Sequence, residues 1–286
     1  MNILDDLKLQ YKLGGIAMRV IYWNIACFLI SLVFYDFSIG QFNFPNWLAL
    51  SSDPQVFMFK PWTLLTYAFF HGSFLHLFFN MIVLNFASQL FLTFFTQKQY
   101  LGVYILGAIF SGIIFTLSYY VLNISAPIVG ASAAIMAILA AVTTYQPLMG
   151  VRLMFVGNVK LWHVTAVILI LDLMQLRLDN TGGHISHLAG ALFGFIYMKS
   201  LQNGTDLSIV ISKILDFFTN LFKKSPSTPF TKVHKNYKKP TEKVTSRIVT
   251  KDKTQQQIDE ILDKISQSGY DCLTKEEKEF LFKAGK

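Results

Sequence analysis

The chain has 286 residues, of which 53% are hydrophobic and 15% charged, and its net charge is +8. Because soluble domains carry about 25% charged residues, this composition excludes an ordinary soluble globular protein. The charge is uneven: residues 1–203 hold nine Lys or Arg against six acids, and residues 204–286 hold sixteen against eleven. The shift predicts a membrane-embedded part followed by a polar, basic tail.

Six apolar stretches are predicted to cross a membrane as helices, since a bilayer about 30 Å thick needs about 20 mainly apolar residues. These spans are 18–38, 74–96, 100–122, 128–146, 160–178 and 184–202. The first lacks the small-residue cleavage site of a signal peptide, which predicts an uncleaved span. The loop 39–73 is rich in aromatic residues, and we expect it to contain a segment at the membrane interface. The predicted fold is therefore an all-α polytopic bundle of six transmembrane helices.

The positive charges predict the orientation of this bundle. If the N-terminus is cytoplasmic, the outer segments contain only Lys60 and Arg177. The cytoplasmic segments then contain the basic tail and Lys8, Lys12, Arg19, Lys98, Arg152, Lys160 and Lys199. Because cytoplasmic loops of membrane proteins are enriched in Lys and Arg, both termini are predicted to be cytoplasmic.

Polar residues cluster where spans two, four and six begin, at their outer ends. His76 and Asn80 share a face of span two because four residues separate them. Ser132 opens span four, and His187 lies in the first turn of span six. All four lie within two turns of the same membrane surface, although they come from three separate parts of the chain. Since polar residues inside a membrane are costly, their coincidence at one depth predicts a functional site.

Small residues predict that two of these helices touch. Gly190 and Gly194 leave the face of span six beside His187 without side chains, so that another helix can approach closely. Span four presents a matching small surface that begins at Gly130. Contact between the two faces would bring Ser132 to His187, and a serine nucleophile requires such a neighbouring base.

Each of these features has a plainer interpretation when it is taken alone. A serine in a membrane helix usually bonds a carbonyl of its own helix, and a glycine pair by itself predicts only packing. A transporter or channel also holds polar residues, but it typically places ionisable groups near the midplane, on broken helices. Here the groups cluster near one surface, and acids are nearly absent from the spans; Asp172, in span five beside its outer end, is the one possible exception. The combination favours a hydrolase.

Three motifs, in order on spans two, four and six, resemble those of the rhomboid intramembrane serine proteases. They are His71-x4-His76-x3-Asn80, Gly130-Ala131-Ser132 and His187-x2-Gly190-x3-Gly194. The resemblance covers about residues 15–203 and implies a Ser–His dyad without a third acid. It departs from the family at Ala133, where glycine is frequent, and at Met136, where an aromatic ring often packs on the histidine. Neither departure removes a catalytic group.

The resemblance also implies a role for each residue. Ser132 would be the nucleophile and His187 the general base, while His76, Asn80 and the backbone N–H of Ser132 would hold the oxyanion. The supporting residues would be His71, Gly130, Gly190 and Gly194. No metal and no other cofactor is expected. The loop Leu178–Gly183 is predicted to form a mobile cap over the site.

The expected substrates are membrane proteins with a single span, cut near its outer end. The resemblance implies a multi-pass protein of the bacterial cell (inner) membrane, with its active site toward the outer face. The alternative is a catalytically inactive rhomboid-like protein that binds membrane clients, although such relatives usually lack the serine or the histidine.

Four segments follow from these patterns: a cytoplasmic N-terminus (1–17), the six-span protease domain (18–203), an amphipathic and basic linker (204–253) and a small soluble C-terminal helical hairpin (254–286). Within the linker, residues 223–253 carry ten Lys or Arg against two acids. This composition predicts disorder and binding to anionic lipid, and no nucleic-acid partner is expected. Thr274 and Glu277 predict a capping box in the hairpin.

Overall fold

The computed structural model describes residues 2–153, 156–176, 180–222 and 253–284, which are mainly helical, as predicted. The helices are α1 (Ile3–Leu13), α2 (Gly15–Ser31), α3 (Pro54–Phe59), α4 (Thr63–Thr66), α5 (Phe74–Leu92), α6 (Gln97–Leu122), α7 (Ser132–Tyr145), α8 (Leu161–Gln175), α9 (Thr181–Gln202), α10 (Ile209–Phe222), α11 (Lys253–Ser268) and α12 (Lys275–Ala284). Three short antiparallel pairs join β1 (Tyr35–Asp36) to β2 (Gln41–Phe42), β3 (Leu50–Ser51) to β4 (Pro127–Ile128), and β5 (Gly150–Leu153) to β6 (Gly157–Lys160). The chain divides into two compact units, Met1–Ser225 and Pro226–Lys286.

Among the described residues of the first unit, three helical segments are long and apolar enough to cross a membrane: Gly15–Phe34, α5 and α6. The apolar helices α7 and α8 are shorter, with 14 and 15 residues, and the 22-residue α9 opens with a polar turn. Together these helices form an all-α polytopic membrane protein.

The fourth predicted span has the wrong start. Its helix begins at Ser132 rather than at residue 128, because Pro127 and Ile128 form β4 and pair with Ser51 and Leu50. The first predicted span also differs, since α2 starts at Gly15 and ends at Ser31, and β1 follows a short 3-10 turn.

Helix α7 lies at the centre of the first unit. Every residue from Ala133 to Val142 is buried, and the helix packs against α5, α6 and α9. A helix that is apolar all round is buried on every side, and the alanines of α7 allow its neighbours to come close. Ser132 is thus the first residue of a helix enclosed by other helices.

The segment between α2 and α5 is built from short elements rather than one long helix. It contains β1 to β3, α3 and α4, and the indole N–H of Trp62 donates to the carbonyl of Trp47 at 3.0 Å. Phe37 and Phe59 are more than 80% exposed. These exposed aromatic rings are compatible with the predicted interfacial position of the loop.

A polar anchor, Asp206, lies just before helix α10, and it accepts hydrogen bonds from Gln99 of α6 at 3.0 Å and from Tyr197 of α9 at 3.1 Å. Burial raises the pKa of Asp206, but hydrogen bonds from Ser208 and Gln99 outweigh it and hold the pKa below its usual value. The anchor therefore stabilises the fold above pH of about 4, and this contribution is lost as the pH falls through the depressed folded pKa. Beyond the anchor, α10 exposes an apolar face that includes Phe217 and Phe218.

The second unit contains α11, a 3-10 turn and α12, the helical hairpin that the sequence predicts. The backbone N–H of Glu277 donates to Thr274 Oγ1 at 3.3 Å, and Thr274 N–H donates to Glu277 Oε2 at 2.8 Å, which is the predicted capping box. Glu277 also pairs with Lys264 of α11 at 2.8 Å, and that bond lowers the pKa of the Glu277 carboxyl. The basic segment predicted to be disordered lies, apart from Lys253, outside the described residues.

We expect Thr274→Ala to loosen α12 by removing one side of the capping box. Loss of such a cap typically costs about 1 kcal/mol, which corresponds to roughly a fivefold rise in local opening. Hydrogen–deuterium exchange of the full-length protein should therefore be faster in residues 275–279. Lys275→Ala, at an exposed neighbouring position, is the control, and equal exchange in both variants would contradict a stabilising cap.

Candidate active site

Ser132 and His187 meet at the contact between α7 and α9. Ser132 is the first residue of α7, and its Oγ lies 2.7 Å from Nε2 of His187. His187 sits in the second turn of α9, because α9 starts at Thr181, three residues before the predicted span. The structure thus brings together two residues that are 55 positions apart in the chain.

The glycines of α9 make this approach possible. A Cβ atom at Gly190 would overlap the backbone carbonyl of Ala133, and one at Gly194 would overlap the carbonyl of Ala137. The two helices therefore touch backbone to backbone over two turns. Such a contact fixes the position of His187 relative to Ser132 without long side chains between them.

Gly130 holds the loop before Ser132 against a second histidine. Its φ of +142° lies in a region that side chains disfavour, and a Cβ there would stand 2.9 Å from Cε1 of His76. The N–H of Gly130 donates to the carbonyl of Tyr67 at 2.9 Å. The loop backbone and the His76 ring are thereby kept next to Ser132.

His76 and Asn80 lie on the face of α5 that looks toward Ser132. Ser73 caps the helix by accepting the N–H of His76 at 3.1 Å, and the amide of Asn80 donates to the carbonyl of His76 at 2.8 Å. Buried His71 meets the His76 ring edge-on, with 5.1 Å between the ring centroids. His71 is therefore placed to support His76 and does not line the cavity beside Ser132.

Two cavities meet at the Ser–His pair. One, of about 210 Å³, is partly polar and is lined by His76, Asn80, Ser132 and His187 among others. The other, of about 240 Å³, shares Asn80, Ser132 and His187, and its remaining lining is apolar: Phe79, Val83, Ile135, Met136 and Ile168. The partly polar cavity is large enough for several water molecules, since one water molecule needs a cavity volume of about 10–15 Å³. The pair thus lies between a space that suits water and a space that suits apolar side chains.

The predicted cap, Leu178–Gly183, has a different form. Thr181, Gly182 and Gly183 belong to the first turn of α9, and Gly182 and Gly183 are buried. Leu178 and Asp179 lie outside the described residues. The glycines that suggested a mobile loop instead allow close packing, because a Cβ at Gly182 would stand 2.6 Å from the ring of Phe115.

Asp172 and His184 are part of the site, although the sequence reasoning assigned neither of them a role. Oδ1 of Asp172, on α8, lies 2.9 Å from Nδ1 of His187 and 2.7 Å from Nδ1 of His184. Asp172 is 5% exposed. Two signals pointed to this cluster: an acid within a predicted span, and a histidine three residues before His187 on the same helix.

These three side chains are also the described residues that could hold a metal ion. Their ligand atoms lie within 4.8 Å of one another. The distances between the imidazole nitrogens and Oδ1 are those of ordinary N–H···O hydrogen bonds. These bonds satisfy Oδ1, whereas the buried Oδ2 of Asp172 has no hydrogen-bond partner among the described residues.

Comparison with known proteins gives two family matches. A model described as "Rhomboid domain" matches residues 59–203, which include every predicted site residue, and a "Family of unknown function (DUF6576)" matches residues 249–283. Presenilin-associated rhomboid-like protein A, mitochondrial, from Danio rerio is 33% identical over 138 residues, 46% of this chain and 35% of that relative. The chain thus matches about a third of the length of this curated relative.

Proposed function

The chain belongs to the rhomboid family, and from that premise we propose that it is an intramembrane serine protease that cleaves other membrane proteins. The observation that carries this proposal is the 2.7 Å contact between Ser132 Oγ and His187 Nε2 inside the helical bundle. A hydroxyl is a weak nucleophile until a base removes its proton, and Nε2 stands where that proton would go.

In the proposed reaction, Ser132 Oγ attacks the carbonyl carbon of the scissile peptide while its proton passes to His187 Nε2. The tetrahedral intermediate then breaks its C–N bond, and His187 returns the proton to the leaving amine. Water from the polar cavity hydrolyses the acyl-enzyme, again with His187 as the base. No cofactor takes part in this sequence of steps.

We propose that His76, Asn80 and the N–H of Ser132 stabilise the oxyanion. His76 and Asn80 line the same cavity as Ser132, and the ring of His76 lies beside the Gly130 backbone that leads into α7. Hydrogen-bond donors aimed at a developing negative charge are worth more in a site of low dielectric than in water. The amide of Asn80 has two N–H groups, and only one is needed for its bond to the His76 carbonyl.

Asn80→Ala is expected to lower kcat about 100-fold, the usual effect of losing one oxyanion donor. Cleavage kinetics in detergent or liposomes would measure this, with little change expected in thermal stability. Asn85→Ala, on the exposed face of α5, is the matched control and should cleave at the wild-type rate. An Asn80→Ala enzyme with wild-type kcat would remove Asn80 from the oxyanion site.

The proposed substrates are single-span proteins cut near the end of the span at the same membrane depth as Ser132. The apolar cavity beside the pair, walled by Phe79, Val83 and Ile168, would take a substrate side chain. Met136 lies in this cavity too, where relatives often carry an aromatic ring, and its flexible thioether suits a variable occupant. Because the family prefers small residues at the cut, small side chains are proposed there.

We propose that the Ser132 end of the bundle faces the outer side of a bacterial inner membrane, with both termini in the cytoplasm. The distribution of Lys and Arg supports this orientation. In that arrangement the exposed apolar face of α10 rests on the inner surface, and the basic segment after it binds anionic lipid at about 1 kcal/mol per nearby cation.

The proposal is tested by incubating the purified protein with a model single-span substrate in liposomes and, separately, with a fluorophosphonate, which labels activated serines. We expect specific cleavage, and one label per chain on a peptide containing Ser132. Labelling of another serine would refute the assigned nucleophile. If the folded protein binds membrane proteins but neither cleaves them nor reacts with the label, it is the inactive, client-binding relative instead.

A further inference from the structure

We propose that Asp172 is a positioning residue for His187, so that the catalytic unit is a Ser132–His187–Asp172 chain rather than a dyad, with His184 as a second hydrogen-bond donor to the same carboxylate. The inference rests on the proposed function for its kinetic consequences. Its structural part, the state of the His187 ring, can be tested without any cleavage.

The geometry fixes the tautomer of His187. Oδ1 of Asp172 lies 2.9 Å from Nδ1 of His187, and an ionised carboxylate can only accept hydrogen bonds. The hydrogen of neutral His187 is therefore on Nδ1, and Nε2 carries the lone pair. Because Nε2 lies 2.7 Å from Ser132 Oγ, the hydroxyl must be the donor in that bond. This is the direction of proton transfer that nucleophilic attack requires.

The same carboxylate would stabilise His187 after proton transfer. When His187 accepts the proton of Ser132, it becomes a cation whose Nδ1–H already points at Asp172. A buried negative charge beside an imidazolium lowers the free energy of the charged intermediate, and it also prevents the ring from turning. A dyad would have to achieve both without a counter-charge.

The burial of Asp172 supports its role as a positioning residue for His187. A carboxylate that is 5% exposed in a helix of a membrane protein is costly, and acids in such positions usually mark function. Asp172 lies on α8, while both of its histidine donors lie on α9. His184 Nδ1, at 2.7 Å, supplies the second donor that helps to keep the carboxylate ionised and fixed.

A purely structural explanation is that Asp172 only holds α8 against α9 through its hydrogen bonds. Because Asp172 bonds two histidines, variants at Asp172 and at His184 distinguish this explanation from the positioning role. Asp172→Asn removes the charge at nearly constant shape. His184→Ala breaks one of the two hydrogen bonds that Asp172 accepts from α9 but leaves the bond between Asp172 and His187. If Asp172 only holds α8 against α9, both variants should lose stability and activity together.

The kinetic test compares wild type, Asp172→Asn and His184→Ala in cleavage of a single-span substrate. We expect Asp172→Asn to lower kcat about 100- to 10,000-fold with KM nearly unchanged, and His184→Ala to lower it less than tenfold.

The decisive measurement is nitrogen-15 NMR of histidine-labelled full-length protein, with the His187 signals assigned by His187→Ala. We expect the Nδ1–H tautomer in wild type and its loss in Asp172→Asn. An Nε2–H tautomer in wild type would overturn the proposal, whether or not the protein cleaves anything. So would equal kinetic losses in Asp172→Asn and His184→Ala. Absence of cleavage together with the Nδ1–H tautomer would instead count against the proposed function alone.

Discussion

Ser132→Ala and His187→Ala should each abolish substrate cleavage, with kcat lower by about four to six orders of magnitude. In the proposed mechanism the serine forms the covalent bond and the histidine moves the proton, so each variant loses one of the two chemical steps. Residues that act as one unit are not additive, and the double variant should therefore be no slower than either single variant. Residual hydrolysis would come from the oxyanion site acting on water alone.

Cleavage would be followed by gel mobility of a labelled single-span substrate in liposomes. Ser186→Ala is a matched control, because Ser186 also lines the cavity but its hydroxyl donates to the carbonyl of Gly182 at 2.8 Å. That variant should retain at least a third of wild-type activity. Cleavage that survives Ser132→Ala would show a different nucleophile or a contaminating protease.

Gly190→Ala should be the most disruptive single-methyl change in the bundle. The added Cβ meets the carbonyl oxygen of Ala133, which is backbone and cannot rotate away, so α9 must move from α7. Overpacking of this kind typically costs 1–3 kcal/mol, and we expect about 3 kcal/mol here. Because the same contact sets the distance between Ser132 and His187, activity should fall at least tenfold even in protein that remains folded.

The free energy of unfolding would be measured in mixed micelles of increasing denaturing-detergent content. Gly150→Ala is the matched control, since a Cβ at Gly150 meets no atom within 4 Å. That variant should unfold within about 0.5 kcal/mol of wild type. A Gly190→Ala protein that is as stable and active as Gly150→Ala would mean that α7 and α9 are not in backbone contact.

The sequence was sufficient to predict those features of the site that depend on regular spacing along a single helix. The four-residue spacing of His76 and Asn80, and the small face around Gly190, predicted which surfaces of the spans meet, and the structure brings Ser132 to His187. The start of α7 was not predictable in this way. Ile128 and Val129 continue an apolar run, but Pro127 and Ile128 pair with a strand more than 70 residues earlier, and the helix begins only after this strand.

Asp172 is a second feature of the site that the sequence alone did not predict. Its position in a predicted span marked it as unusual, but its proposed role depends on which face of α8 points toward α9, and no local sequence pattern predicts that orientation. The family resemblance pointed away from it, since a dyad has no place for an acid. A contact in which one oxygen atom of a side chain connects two helices can be identified only when the positions of both helices are known.

The short length of α7 makes the depth of Ser132 independent of the thickness of the membrane. Fourteen residues rise about 21 Å, less than the hydrocarbon layer of about 30 Å, and other helices surround α7 on every side. Hydrophobic mismatch acts on helices that touch lipid, such as α5 and α6, and on the substrate's own span, which tilts or slides to fit. The depth of Ser132 is thus fixed by protein packing, whereas the depth of the substrate follows the lipid. The same substrate should consequently be cut at different peptide bonds in thin and thick bilayers, so that lipid chain length becomes a determinant of cleavage-site choice.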